Sequence, residues 1–345
     1  MHAIPFIIEF PTLPQAIRAK RRKLPGGGAI AYGLGGAYLG GHNGRTAAED
    51  VAVYRRAYEA GFRYFDVSSS KQYGRSEEHL GKFVKEIDRE QVFLSSKFMP
   101  GPQTPLVRQL ESGLENALRL MQTDHLDIFH LHDMGNFEEV VQGEVYDELR
   151  QSIARWKQLG KIRWFGIGIK NQRVLCAAMQ SGLIEGILTH NELLPICPDA
   201  LPLMRKAKAR GFGVTHASPL AFGGLLAGGD PRKVQVHPSR ATLHARAVEF
   251  YLHCQTWEIP VVAAALQFPL HFSEPDITLT GPGCMEHLES TISALSVAVP
   301  LEFWQAWFDR ITPHLHAEEV KTWQAARESV LKHEFMTTGP REYAF

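Results

Sequence analysis

From about residue 30 to about residue 295, short apolar runs alternate with longer stretches in which apolar positions recur every three or four residues. The first pattern suits strands buried on both faces, and the second suits helices with one buried face. The runs predict strands at Ile30 to Leu34, Tyr64 to Val67, Val92 to Lys97, Leu126 to His132, Trp164 to Ile169, Gly186 to Thr189, Gly213 to Ser218 and Ile277 to Thr280. Helices are predicted over Thr46 to Ala60, Glu77 to Glu86, Pro105 to Met121, Val145 to Leu159, Gln172 to Ser181, Ala200 to Arg210, Arg240 to Trp257 and Met285 to Leu295. In the third of these, Leu106, Leu110, Leu114, Leu118 and Met121 share one face.

Strands alternating with helices make an α/β protein, and eight such units close a (β/α)8 TIM barrel. An open doubly wound sheet is the competing arrangement, and its cofactor turn needs Gly-x-Gly-x-x-Gly after the first strand. Gly33-Leu34-Gly35-Gly36-Ala37-Tyr38 begins that pattern and breaks it at Tyr38. The barrel is therefore preferred, as a domain over 29–299. Residues 1–28 form an N-terminal extension with a Pro/Gly-rich entry at 24–28, and 300–345 form a C-terminal helical extension with Phe303, Trp304 and Trp307 as its packing edge. Gly224 to Pro231 is a loop after the seventh strand, either a lid or a plain connector.

The chain has 345 residues, of which 44% are hydrophobic, enough for a large core. Its 37 Lys and Arg balance 37 Asp and Glu, and no sustained basic face is present to neutralise phosphates, which argues against nucleic acid or an anionic membrane as partner. The patch Arg18 to Lys23 reads as a solvated face. Cys176, Cys197, Cys254 and Cys284 are far apart, as expected of reduced thiols in a cytoplasmic enzyme. Met1 to Phe10 is broken by Pro5, is followed by Pro11 and lacks a basic start, so it does not read as a secretory signal, and no run is long enough to span a membrane. A soluble chain with a small-molecule substrate is expected, and self-association is left open.

In barrels the chemistry gathers at the carboxyl ends of the strands, and Asp66, Lys97 and His132 fall at such ends in three successive units. A buried ion pair of purely structural use is the plain alternative for Asp66 and Lys97. His130 and His132 point to the same side of one strand, as a metal-binding pair would, but no third ligand completes a shell and no metal is assigned.

The run Phe65 to Glu77, with Leu80-Gly81, Ser96-Lys97 and Leu131-His132, resembles the catalytic signature of the aldo-keto reductases. Gly33 to Gly40, His132-Asp133 and Ala264 to Leu270 look most like the branch of aldose and pyridoxal dehydrogenases. The resemblance implies a barrel that moves hydride between a nicotinamide cofactor and a sugar-like or small aldehyde or alcohol. It implies that a tyrosine transfers the proton, a lysine lowers the pKa of that tyrosine, an aspartate holds the lysine and a histidine orients the substrate oxygen. Asp66, Lys97 and His132 match three of these. The family's tyrosine stands five positions after the aspartate, which here is Lys71, with Tyr73 two residues beyond. Either the loop is rearranged and Tyr73 takes the role, or Lys71 faces the pocket beside Lys97 and serves as acid, base or Schiff-base nucleophile.

For the cofactor, the resemblance points to Asn171, Asn191, Ser218, Leu220 and Gly281. Around them the family's pattern is altered: Gly166-Ile167-Gly168-Ile169-Lys170-Asn171 replaces Gly-Val-Ser-Asn, His190-Asn191-Glu192-Leu193 replaces Gln-Asn-Glu-Tyr, and Ala217 stands for a stacking ring. Gly281-Pro282-Gly283-Cys284 lacks an arginine for a 2′-phosphate and Thr291 replaces an asparagine, which favours NAD over NADP and leaves open that neither binds. The alternative function is a lyase, dehydratase or isomerase working through Lys71 and Lys97. A ligand-binding relative without activity is a third.

Overall fold

The structure, a computed structural model, describes residues 11–23, 29–102, 105–221 and 224–332. The Pro/Gly-rich entry at 24–28 lies outside these. A two-stranded antiparallel pair, β1 (Arg22–Lys23) with β2 (Ala29–Ile30), precedes the main sheet. Eight parallel strands then close on themselves: β3 (Tyr32–Gly35), β4 (Tyr64–Asp66), β5 (Phe93–Phe98), β6 (Leu126–His132), β7 (Ile162–Gly168), β8 (Gly186–His190), β9 (Gly213–Ala217) and β10 (Ile277–Thr280), with β10 pairing both β9 and β3. The expected barrel and all eight strands are present. The first is displaced, since Ala29–Ile30 pairs with β1 and the barrel strand starts at Tyr32.

Alternation along the strands sorts the side chains. Phe65, Leu94, Phe129, Phe165, Ile187 and Val214 face the surrounding helices, while Tyr64, Phe93, Ile128, Leu188, Ile277 and Leu279 form a separate cluster inside the barrel. There Tyr64 stacks on Phe93 at 4.6 Å, and Phe93 on Trp164 at 6.0 Å.

One helix that the patterns did not predict, Leu13–Ala19, completes this inner core. Its start carries a reciprocal Thr12–Gln15 capping box, and Leu13 and Ile17 are buried. Glycines make room for it, because a Cβ on Gly186 or Gly213 would stand 2.8 or 2.6 Å from Leu13. The neighbouring basic residues are not simply solvated. Arg18 Nε donates to Asp276 Oδ1 at 2.8 Å and Arg21 Nε to the Asp276 carbonyl at 2.8 Å. Lys208 Nζ and the Val214 amide also reach the buried Asp276 carboxylate, at 2.6 and 2.9 Å.

The predicted helices form with ends within a few residues of expectation, and short helices at Ser70–Tyr73, Phe137–Gln142 and Val261–Gln267 add to them. The C-terminal segment supplies Leu301–Ile311 and Ala317–Lys332. Phe303, Trp304 and Trp307 are buried as its packing edge, Trp307 meeting the Phe250 ring at 4.9 Å and donating its indole N–H to the Pro195 carbonyl at 2.8 Å. Among the described residues, no helix is long and apolar enough to cross a membrane.

Candidate active site

At the carboxyl ends of β4 and β5, Asp66 and Lys97 point inward from paired strands, Asp66 opposite Ser95 in register. Both are buried, and Lys97 Nζ donates to Asp66 Oδ2 and, at 2.9 Å, to the Val67 carbonyl. Ser95 Oγ donates to the other Asp66 oxygen at 2.7 Å, so the carboxylate is satisfied on both sides. Burial alone would drive the Lys97 pKa down. The Asp66 carboxylate and Tyr73 outweigh it, and the ammonium is held above the ordinary lysine value.

Tyr73 reaches this pair by a one-turn helix, Ser70–Tyr73, inserted after β4. Ser69 N donates to the Lys97 carbonyl at 3.1 Å and starts the turn, and Gly74 ends it at φ +58 and ψ −124, a conformation suited to glycine. The turn rests on Gly40: a Cβ there would stand 2.0 Å from the Tyr73 carbonyl oxygen, while Arg75 N donates to the Gly40 carbonyl at 3.0 Å. Lys97 Nζ sits 4.9 Å from the centre of the Tyr73 ring. Burial raises the phenol pKa, and Lys97 opposes that rise. Lys71 lies on the exposed side of the same turn, where its ammonium would be 4.0 Å from a Cβ on Gly101. The cation against the Tyr73 ring is Lys97, which is buried, whereas Lys71 is exposed.

The two histidines of β6 fit because β7 is bare beside them. His130 pairs in register with Gly166 and His132 with Gly168. A Cβ on Gly166 would stand 2.7 Å from the His130 ring, and one on Gly168 3.2 Å from His132 Nδ1. His132 Nδ1 donates to the Gly168 carbonyl at 2.8 Å, which directs Nε2 toward Asp133 Oδ2 at 3.5 Å. Burial first, and Lys97 second, push both imidazoles down to a pKa of about 3, so both are neutral near pH 7. Among the described residues no group of three or more His, Cys, Asp or Glu is gathered so as to hold a metal ion.

The five residues proposed for the cofactor separate. Asn171 caps the helix Gln172–Ala178, its Oδ1 accepting from Arg173 N at 3.1 Å and Val174 N at 3.3 Å. Asn191 is buried at φ +60; Nδ2 donates to His190 Nδ1 at 2.8 Å and Oδ1 has no partner among the described residues. Ser218 is exposed at φ +59 in the turn after β9, with Leu220 half-buried beside it. Gly281 is exposed at the end of β10, where its α-carbon faces the Tyr38 ring, 3.8 Å from the position of a Cβ.

Two residues with chemistry near the site, Glu77 and Ser95, were given no role from the sequence. Glu77 is buried behind β5, accepting from Ser96 Oγ at 2.6 Å, and burial pushes its pKa up to about 7. The sequence placed Glu77 at the end of the run Phe65 to Glu77, but its burial and its bond to Ser96, 19 positions away, could not be read there. Ser95 was hidden because its partner, Asp66, lies 29 positions away.

The chain is similar to known proteins over most of its length. The model of the aldo/keto reductase family matches residues 31–309. L-galactose dehydrogenase of Arabidopsis thaliana is 27% identical over 304 residues, covering 85% of this chain and 92% of the relative. Pyridoxal 4-dehydrogenase of Microbacterium luteolum is 25% identical over 316 residues, covering 79% and 92%. Among solved structures, an aldo-keto reductase from Bacillus halodurans in its holo form superposes with a TM-score of 0.63 at 19% identity, over 89% of this chain and 96% of that one. One from Klebsiella pneumoniae in complex with NADPH gives 0.62 at 20% identity, over 85% and 95%. These structures share the fold.

Proposed function

This chain belongs to the aldo/keto reductase family, and we propose from that premise that it oxidises a hydroxyl of a sugar-like or small alcohol, or reduces the matching carbonyl, with Tyr73 as proton carrier. The observation that carries the assignment is Lys97, whose ammonium touches Asp66 on one side and stands 4.9 Å from the Tyr73 ring on the other. A cation fixed against a phenol stabilises the phenolate, so the proton passes more readily in either direction. Asp66, itself held by Ser95, keeps that cation charged inside the barrel.

For oxidation, Tyr73 as phenolate takes the hydroxyl proton while the C–H bond breaks. The phenol returns that proton to the carbonyl oxygen in the reverse direction. His132, neutral and anchored on the Gly168 carbonyl, orients the substrate. A nicotinamide, when bound, supplies the two-electron acceptor or donor for the hydride.

The residues present suit such a cofactor in part. The buried, unpartnered Asn191 Oδ1 offers an acceptor for a carboxamide N–H. Gly281 and Gly283 leave a bare edge against Tyr38, with Cβ positions 3.8 and 3.4 Å from that side chain. Ser218 and Leu220 line the same mouth of the barrel in this reading, whereas Asn171 serves the helix it caps. For the adenosine end we propose NAD over NADP. The stretch Gly281 to Cys284 offers no cation to a 2′-phosphate, and Thr291 Oγ1 is spent on the His287 carbonyl at 2.9 Å. Titration with NADH and NADPH, read by quenching of tryptophan fluorescence, tests the reading. Saturation by NADH at micromolar concentration is expected; silence with both contradicts hydride transfer. A cytoplasmic place for the protein is part of the same proposal.

A further inference from the structure

We propose that Asp50 and His79 are positioning residues for the reaction, which together lock the turn carrying Tyr73 in its place beside Lys97. This deepens the reading above and rests on it.

Asp50 stands in the first turn of the helix Ala47–Glu59 and His79 in the helix Ser76–Val84, and both are fully buried. His79 Nδ1 lies 2.9 Å from Asp50 Oδ2. Gly41 N donates to the same oxygen at 3.1 Å, and Arg45 Nε donates to Oδ1 at 2.7 Å. These donors converge on a carboxylate, which only accepts, so His79 Nδ1 carries its hydrogen. The carboxylate thereby fastens two elements to its own helix. One is the loop after β3, and the other is the helix Ser76–Val84.

Those two elements enclose the Tyr73 turn. Next to Gly41, the Gly40 carbonyl accepts from Arg75 N at 3.0 Å, and the Arg75 carbonyl accepts from His79 N at 2.9 Å. With the bonds of Gly41 and His79 to Asp50, these contacts close a ring that runs from Asp50 through Gly41, Gly40, Arg75 and His79 back to Asp50. Tyr73 enters two residues before Arg75, its carbonyl set against the bare face of Gly40. Gly41 itself is at φ +81, where glycine is favoured, and a Cβ on it would stand 3.7 Å from the His79 ring.

Inside the turn, Gln72 N and Tyr73 N donate to the Ser69 carbonyl at 2.9 and 3.1 Å. A helix of one turn is not stable alone, so its position is set by what holds it from outside. Asp50 and His79 do this through the backbone of Gly40 and Arg75. Neither needs to touch the phenol.

The test is made at His79, because Asp50→Ala would also strand Arg45 and the Gly41 amide. His79→Asn keeps a donor where Nδ1 stood in a smaller side chain, whereas His79→Leu fills the space without a donor. Hydrogen exchange of the segment 69–76, read by mass spectrometry, should be about tenfold faster in His79→Leu, the scale of one lost hydrogen bond to a charged group, and close to wild type in His79→Asn. With an aldose and NAD, kcat should fall about tenfold or more in His79→Leu while both KM values stay within about twofold, as for a displaced proton carrier. His79→Asn should restore most of kcat. Wild-type exchange and kcat in His79→Leu, or an asparagine variant as impaired as the leucine one, overturns the proposal. Faster exchange with unchanged kcat also overturns it. Exchange needs no turnover, so the two readings can fail separately. A wild type without NAD-linked activity would refute the proposed reaction, while fast exchange in His79→Leu with slow exchange in His79→Asn would still uphold the lock.

Discussion

Gly40 and Tyr73 come so close that a methyl group on the glycine would stand 2.0 Å from the tyrosine's carbonyl oxygen. The contact ties the loop after β3 to the turn that carries the phenol. Gly40→Ala should push that turn away from Lys97 and lower kcat by about two orders of magnitude, the scale of a 1 Å misplacement in an active site. The circular dichroism spectrum should remain that of the folded barrel. A variant with normal kcat would show that the turn adjusts freely and that its seating on Gly40 is unimportant.

Glu77 makes stability depend on pH in one direction. Its folded pKa, about 7, lies above the ordinary carboxylate value, so between about pH 4.5 and 7 the folded state binds more protons than the unfolded one. Its contribution to stability is whole at low pH and lost as pH rises through 7. Glu77→Gln removes that loss, and should stabilise the protein at pH 8 by roughly 2 to 3 kcal/mol while changing little at pH 4. Urea denaturation at the two pH values checks this; equal effects at both would contradict the burial argument.

The buried histidines act in the opposite sense. His130, His132 and His216 have pKa values pushed down to about 3 by burial first of all. Unfolding returns them to about 6.5, so the unfolded state binds more protons between about pH 3 and 6.5, and stability falls as pH falls through that window. His130→Leu should flatten part of this acid loss, because it removes a ring that takes up a proton only on unfolding, and it also removes a buried Nε2 without a partner among the described residues. If the variant is as acid-sensitive as wild type, His130 is not a source of the loss.

Asp276 joins the N-terminal helix to the barrel by accepting from Arg18, Lys208 and the Val214 amide. Asp276→Ala strands two cations and an amide, and should cost about 3 to 5 kcal/mol of stability. Thermal melting measures it, and a shift no larger than that of an exposed aspartate would assign the clamp a minor role.

The eight strands were legible because each is a short apolar run buried on both faces, and Leu126 to His132 has the observed limits. The helix Leu13–Ala19 was not, because it is short and only Leu13 and Ile17 report its buried face. Basic residues around it looked solvated because their partner Asp276 is 258 positions from Arg18. Asp66, Lys97 and His132 could be placed at strand ends from the pattern alone, but a strand register cannot tell where a loop residue turns. The seating of Tyr73 beside Lys97 depends on Gly74 and Gly40, whose meaning needs the contact between their two loops. Asn171 looked like a ligand group and is a helix cap, two uses that share the same side-chain chemistry.

The most direct test is the pre-steady-state rate of hydride transfer in Tyr73→Phe beside Lys71→Met, measured with NAD and an aldose that wild type oxidises. Tyr73→Phe should slow it about a hundredfold or more, the loss expected when a general acid-base group is removed, with Lys71→Met within a few-fold of wild type. Normal hydride transfer in Tyr73→Phe together with loss of it in Lys71→Met would contradict the account and give the proton to the lysine.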